Sequence, residues 1–272
     1  MYKNFYGLKE NPFNATSDPH FLYLSKRHKE ALSSLVYGIN ERKGFIEITG
    51  EIGTGKTTLC RALLNELDAK TKTAFILNPR LSEMQLVRAV IEDFGIMVKR
   101  NSKIEMIKAL NEFLIKQLSA GNNVVLIIDE SQNLKNNILE EIRLLSNLET
   151  EKEKLFQIVL VGQPELKQKL ASPDLVQLKQ RISIRYHILP LERHEISAYL
   201  QHRLHVAGGH GDILFDDSAI DEIYEYSKGV PRLINIVSDR AMLLGYVQEI
   251  RTFDSDIIKR AVAEIENLVL QQ

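Results

Sequence analysis

One cysteine, Cys60, stands among 272 residues, which excludes an internal disulfide framework and a zinc ribbon built on cysteine. Neither sign of charge dominates. Lys and Arg number 35 and Asp and Glu 36, for a formal net charge of -1. A strongly basic nucleic-acid coat and an acidic disordered tail are both excluded, although a local basic patch is not. Long apolar runs are missing too: the longest, Val124 to Ile128, is far too short for a membrane span. The opening Met1-Tyr2-Lys3-Asn4-Phe5 lacks a secretory apolar stretch, so the expected location is cytoplasmic. Internal repeats, low-complexity tracts and Gly/Ser linkers are absent as well. What is present, 44% hydrophobic and 26% charged residues, is the make-up of an ordinary soluble globular chain, long enough for one large domain or two small ones.

The first 22 residues read as irregular, with turn signals at Asn11-Pro12-Phe13-Asn14 and Ser17-Asp18-Pro19-His20. Their aromatics (Phe5, Tyr6, Phe13, Phe21, Tyr23) predict packing onto something. A helix is predicted from Lys26 to about Asn40. From Phe45 on, short apolar runs alternate with amphipathic ones. Phe45 to Thr49, Ala74 to Leu77, Val124 to Ile128, Phe156 to Val161 and Ile184 to Leu189 read as strands. The segments between them carry helical spacing, as at Leu139, Ile142, Leu145 and Leu148. That alternation predicts an α/β fold with a mostly parallel five-stranded sheet covered on both faces. After Pro190 the strand signals stop. Glu192 to Val206, Asp217 to Ser227, Pro231 to Val247 and Asp254 to Leu268 read as helices. The expected division is an α/β domain over residues 1–190 and an all-helical one over 191–272.

Gly50-Glu51-Ile52-Gly53-Thr54-Gly55-Lys56-Thr57 fits GxxxxGK[ST] after a predicted strand and at the start of a predicted helix, the context a phosphate-binding loop requires. Glycines let the backbone wrap a phosphate chain with its N–H groups turned inward, and the helix aims its positive end at the β-phosphate. Lys56 would meet the β- and γ-phosphates, and the Thr57 hydroxyl a Mg²⁺ ion. Chance alone yields such a pattern in roughly one chain in a hundred of this length, and the strand and helix around it lower that further.

A second strand, Val124 to Ile128, empties into Asp129-Glu130. At that edge of an open parallel sheet, Asp129 would hold the Mg²⁺ water shell. Glu130 would orient and deprotonate an attacking water. A lysine and magnesium clamp without a water activator would make a switch or a kinase; the adjacent Glu130 favours hydrolysis. Gln163, after Phe156 to Val161, would reach the water or the γ-phosphate if its strand lies beside the acidic one. The bland alternative is a loop amide near a proline turn. In Gln180-Arg181-Ile182-Ser183-Ile184-Arg185, one arginine could serve a neighbouring subunit's γ-phosphate. Arg181 stands ahead of Arg185, against the alternative of a solvated or salt-bridged surface pair. Arg232, in Gly229-Val230-Pro231-Arg232, lies in a helix's first turn, where a cation opposes the dipole and calls for an anion. That anion is a nucleotide phosphate or an intramolecular carboxylate.

Taken together, these residues resemble the AAA+ ATPases over almost the whole chain, with Gly50 to Thr57 as Walker A, Asp129 and Glu130 as Walker B, Gln163 at sensor 1 and Arg232 at sensor 2. Tyr6-Gly7-Leu8, Asn11-Pro12-Phe13, Phe21-Leu22-Tyr23-Leu24-Ser25, Asp129 to Leu134, Val161 to Leu166 and Gly229 to Arg232 look like the ExeA/GspA-type subgroup, which serves secretion, pilus and exopolysaccharide loci and is similar to transposition-regulator ATPases. The resemblance implies a P-loop NTPase sheet ordered 5-1-4-3-2, a C-terminal helical lid, and ATP with Mg²⁺ at the interface of a homo-oligomeric ring, a hexamer by preference. It implies nucleotide contacts running through Thr58, and His28 near the adenine. Secretion-type members continue into a membrane span and a peptidoglycan-binding region, whereas this chain stops at Gln272. The expectation is therefore a stand-alone relative or an excised domain, without cell-wall binding of its own.

Three readings compete. The first is an ATPase that assembles or remodels a secretion, pilus or envelope apparatus with a protein partner. The second, weaker reading is an ATP-dependent DNA-binding regulator, motivated by the subgroup and by Lys167, Lys169, Lys179, Arg181 and Arg185. The third is a nucleotide-binding switch that barely hydrolyses. His202, His205 and His210 lack a carboxylate or cysteine to complete a metal set, and Cys60, among Leu59, Leu63 and Leu64, reads as a buried structural thiol.

Overall fold

The computed structural model describes residues 2–14, 16–77, 81–99, 102–149 and 154–270. They gather into two compact units, one of residues 29–51 and 59–188, the other of residues 1–28, 52–58 and 189–272.

The first unit is built on a sheet of β1 (Phe45–Gly50), β2 (Thr71–Ile76), β3 (Asn123–Ile128), β4 (Gln157–Gly162) and β5 (Ile182–Ile188). The strands lie in the order β2-β3-β4-β1-β5, all parallel, which is the expected 5-1-4-3-2 order read from the other edge. β1 and β4 are buried at every residue and β3 at all but its first. Interior parallel strands are covered on both faces, so Ile, Val and Leu are tolerated on both. β2 and β5 instead alternate between buried and accessible positions, as edge strands do. That alternation explains why β2 begins three residues before the predicted Ala74: Thr71, Lys72 and Thr73 pair in register with Asn123, Val124 and Val125.

Helices cover the sheet with apolar faces. Leu86, Val87, Val90 and Ile91 come from the Glu83–Asp93 helix, which opens on a capping box of Ser82 and Gln85. Met106, Leu110 and Leu114 come from Lys103–Ser119, and Leu139, Ile142 and Leu145 from Asn136–Leu145. All belong to one core, and each side chain buried from water contributes about 1.5–3 kcal/mol.

The second unit is largely helical, with Arg193–Val206, Asp217–Ser227, Pro231–Val247 and Ser255–Leu270. Two sequence expectations need correction. Strands do not stop at Pro190: β6 (Leu214–Phe215) and β7 (Thr252–Phe253) form a short parallel ladder. Two residues are too few to show a period; the ladder is marked instead by the stacked rings of Phe215 and Phe253, 4.7 Å apart. Nor is the leading segment wholly irregular, since Tyr2–Tyr6 is a single helical turn and Pro19–Phe21 a 3₁₀ turn capped by Asp18. Its aromatics do pack. Tyr6, Phe13 and Phe21 are buried in the core of the C-terminal helices, and the Tyr6 hydroxyl donates toward the carbonyls of Met242 (3.1 Å) and Ile250 (3.2 Å). Arg203, nearly buried, donates to the carbonyls of Pro12 (2.5 Å) and Asn14 (3.2 Å) and lies 4.7 Å from the Phe21 ring centre. Those contacts place residues 1–28 with the helical unit rather than with the sheet. Among the described residues, no helix is long and apolar enough to cross a membrane.

Candidate functional site

Gly50 ends β1, and the glycine-rich loop runs from it to Lys56, the first residue of the Lys56–Glu66 helix. Gly53 and Gly55 adopt φ of +83° and +93°, a region that side chains with a Cβ avoid. Gly53 is also a point of close approach. A Cβ there would lie 2.7 Å from Arg232 Cβ and 3.1 Å from Val230 Cγ1. The Arg232 backbone N–H donates to the Gly53 carbonyl at 3.2 Å. Two residues singled out from sequence, 179 positions apart, are thus joined through their backbones. Among the described residues the Arg232 guanidinium has no carboxylate partner, so the intramolecular anion is not found there.

Arg232 is set by the turn before its helix. Lys228 and Gly229 both take positive φ, +49° and +78°, and a Cβ on Gly229 would fall 1.9 Å from the Leu191 carbonyl oxygen. Gly229 in turn accepts the Leu191 N–H at 2.9 Å. No residue with a side chain fits that crossing.

His28 serves the same loop. Its Nε2 lies 3.0 Å from the Thr54 carbonyl and its Nδ1 2.8 Å from Ser25 Oγ. A carbonyl only accepts, so Nε2 carries the proton and Nδ1 accepts from the Ser25 hydroxyl. Burial pushes the imidazole pKa below its ordinary value, while the bond to Thr54 and the charge of Glu195 oppose this. The family resemblance sets His28 beside an adenine; here both ring nitrogens are engaged by the protein, and the side chain supports the loop. Thr54 is buried and Lys56 only 6% exposed, whereas Ile52 is exposed.

The carboxylates sit at the end of β3, in the sheet unit. Asp129 is buried; its N–H donates to the Ile76 carbonyl (2.9 Å) and its Oδ1 accepts the Glu130 N–H (2.8 Å). Glu130 stands at φ 53° and ψ 34°, left-handed. For a residue with a Cβ that conformation costs about 1–3 kcal/mol, and it concentrates where surrounding structure fixes it. The Ser131 hydroxyl donates to the Ile128 carbonyl at 2.8 Å. Lys169 donates to the carbonyls of Gln132 (2.5 Å) and Leu134 (2.7 Å). β4 pairs with β3 in register, Ile128 opposite Leu160, which is the condition for Gln163 to reach the acid. Its Nε2 lies 3.3 Å from Glu130 Oε2. A residue that sequence reasoning passed over completes the cluster. Gln132 donates from Nε2 to the same Oε2 at 2.6 Å and accepts the Gln163 N–H at Oε1 (3.1 Å). The available signal was an amide two residues past the acid, ahead of a strand ending in glycine.

Neither candidate finger arginine is without a partner in its own chain. Arg181 ends the Val176–Arg181 helix and donates to Ser146 Oγ at 2.9 Å. Arg185, opposite Glu47 in the β1–β5 register, donates to its carboxylate at 3.2 Å and to the Lys179 carbonyl at 2.5 Å. Glu47 is buried, which raises its pKa against the lowering effect of Arg185 and the nearby Lys167 and Lys179. For Arg185 the salt-bridged alternative is therefore what the structure holds. Cys60 is fully buried.

Residues 39–170 match the family described as AAA domain. The chain is 44% identical over 249 residues to General secretion pathway protein A of Aeromonas hydrophila, an alignment that takes in 91% of this chain and 45% of that protein. It thus spans rather less than half the length of that curated relative. Among solved structures, the Aeropyrum pernix ORC2 protein aligns with a TM-score of 0.68 at 15% identity, over 94% of this chain and 72% of that one. Cdc6p from Pyrobaculum aerophilum aligns at 0.68 and 18%, over 93% and 70%, and the Thermotoga maritima RuvB Holliday junction branch migration motor at 0.60 and 18%, over 88% and 68%. At those identities the structural likenesses speak to the fold alone.

Proposed function

We propose that this chain, an AAA-type protein akin to General secretion pathway protein A, binds Mg-ATP and hydrolyses it to ADP and phosphate. The residues fit such a ligand. Gly53 and Gly55 supply a loop backbone that no Cβ could follow, at the positive end of the Lys56–Glu66 helix. Lys56 and Arg232 bring charge to the phosphates. Thr57 and Asp129 supply the hard oxygen donors that Mg²⁺ takes, and the chemistry such an ion supplies when bound is neutralisation of phosphate charge.

In the hydrolytic step, water oxygen forms the new bond to the γ-phosphorus, the bond to the β,γ-bridging oxygen breaks toward ADP, and Glu130 takes the water proton. Gln163 orients the same water. The observation that carries this reading is the acid itself: at the end of β3 the Glu130 carboxylate is bonded to the amides of Gln132 and Gln163, which fix it beside the buried Asp129. Glu130→Gln should keep ATP binding and lower turnover by about 10²–10⁴-fold, whereas Lys56→Ala should abolish binding. Wild-type protein that releases no phosphate from Mg-ATP, or an E130Q variant that turns over like the parent, overturns the proposal.

We further propose that residues 1–190 bind nucleotide, that residues 191–272 act as a helical lid, and that ATP drives a ring-shaped homo-oligomer. Of the two arginines, Arg181 is the one to act in trans, because it donates to a hydroxyl and shares the nearby Glu140 with Arg143, whereas Arg185 carries a buried carboxylate. The kinship with General secretion pathway protein A supports an envelope or secretion partner. The DNA reading is disfavoured because Lys169 and Arg185 of the basic stretch are engaged within the chain. Light scattering with and without ATP, and with and without duplex DNA, separates the two: growth on ATP alone supports the machine, and growth that needs duplex supports the DNA regulator.

A further inference from the structure

We infer that Gln132 is a positioning residue for the reacting water, fixing the Glu130 carboxylate and locking it to the end of β4. The inference rests on the hydrolytic reading above and deepens it.

The argument starts from a carboxylate with freedom to lose. The Glu130 side chain is only partly buried, and a glutamate at a partly open edge samples several rotamers unless something holds it. Two amides do so, and both approach one oxygen: Gln132 Nε2 lies 2.6 Å and Gln163 Nε2 3.3 Å from Glu130 Oε2. The Oε1 atom receives no hydrogen bond among the described residues. A base so arranged presents one defined oxygen to a water.

The orientation of Gln132 is itself determined. Its Oε1 accepts the backbone N–H of Gln163 at 3.1 Å, so its Nε2 must face the carboxylate; a flipped amide would set oxygen against oxygen and N–H against N–H. Space for that amide is made by Gly162, where a Cβ would lie 2.8 Å from Gln132 Oε1. The Gln132 main chain is pinned by Lys169 through its carbonyl. One side chain therefore ties the acid after β3 to the residue after β4 through a donor on one side and an acceptor on the other. Misplacement of a reacting group by about 1 Å can cost on the order of 10²-fold in rate, which is the scale at stake.

The two ends of the amide can be tested apart. Gln132→Met keeps length and removes both bonds; Gln132→Glu keeps the acceptor for Gln163 N–H but cannot donate to Glu130. Steady-state ATP hydrolysis, mant-ATP binding and thermal melting should be measured on both, on wild type, on E130Q and on the E130Q/Q132M double variant. The expected result is a fall in kcat of about 10- to 100-fold for both single variants, with KM for ATP and mant-ATP affinity within about twofold of the parent. Q132M should add no further loss in the E130Q background, because a residue acting through Glu130 has nothing left to position. Unchanged kcat in Q132M beside an inactive E130Q overturns the inference and leaves the hydrolytic reading standing. So does a Q132E variant with parental kcat, or a Q132M defect confined to KM or to melting temperature. An E130Q variant as active as wild type sinks the reading itself.

Discussion

The phosphate loop and the acidic edge are built by opposite means. The loop is held by main chain: the Arg232 N–H meets the Gly53 carbonyl, His28 meets the Thr54 carbonyl, and Gly229 crosses Leu191 where a side chain cannot go. The acidic edge is held by side chains, with Glu130, Gln132, Gln163 and Lys169 bonded in sequence around a strained residue. A region fixed at its backbone depends on its glycines and on the groups that reach its carbonyls, the His28 side chain among them. A side-chain-built region depends on each amide and each length, and it carries its backbone strain at the chemical group.

That contrast can be broken at four points, in decreasing order of effect. Glu130→Asn retains a residue that accepts left-handed φ but removes the proposed base. Turnover should fall by about 10²-fold or more, while urea unfolding shows the variant equal to or about 1 kcal/mol above the parent; a variant both inactive and clearly less stable would mean the strain lies elsewhere. Gly53→Ala should cost about 2–3 kcal/mol, from φ of +83° and the clash with Arg232 Cβ, and mant-ATP titration should show affinity lost along with it. Wild-type affinity in G53A would show that the loop does not need its contact with the start of the Pro231–Val247 helix.

His28→Ala removes the Thr54 and Ser25 bonds, and about 1–3 kcal/mol is expected in chemical denaturation. The pH dependence has a defined sign. The folded pKa of His28 lies below the ordinary 6.5, so as pH falls through that value the unfolded chain takes up a proton first, and stability drops. Above it both states are neutral and the contribution is complete. Stability curves at pH 5.5 and pH 8 should therefore diverge less in His28→Asn than in the parent; equal divergence would assign the dependence to other groups. The smallest effect is expected from Arg185→Ala, about 1 kcal/mol given its partial exposure, seen in melting temperature with KM for ATP unmoved. A collapse of turnover in R185A with stability intact would instead return Arg185 to a trans-acting role.

Much of this was legible in the sequence, for identifiable reasons. Interior strands advertise themselves as unbroken apolar runs, so β1, β3 and β4 were located to within one residue of their observed starts. The edge strand β2 was shortened because Thr71-Lys72-Thr73 look polar to a reader who cannot know which face is open. The loop was visible because backbone geometry forces glycine, and glycine is conspicuous. Gln132 was not, since an amide gives no pattern until the strand order brings Gly162 and Gln163 beside it. The partner of Arg185 was hidden for the converse reason: Glu47 lies inside an apolar strand, and only the β1–β5 register turns the two into a pair. The Tyr2–Tyr6 turn and the β6–β7 ladder were lost simply because they are too short to carry a period.

The burial of Tyr6 against the carbonyls of Met242 and Ile250 bears on how the chain is made. Tyr6 leaves the ribosome well before these partners, which lie 236 and 244 positions further along the chain. The sheet unit, complete by residue 188, can close during translation, domains generally forming as their sequence appears. The helical unit has to wait, with six early aromatics left wet or chaperoned until the helices after residue 190 arrive. A bulky fusion at the front of the chain should therefore slow maturation of the helical unit and leave the sheet untouched.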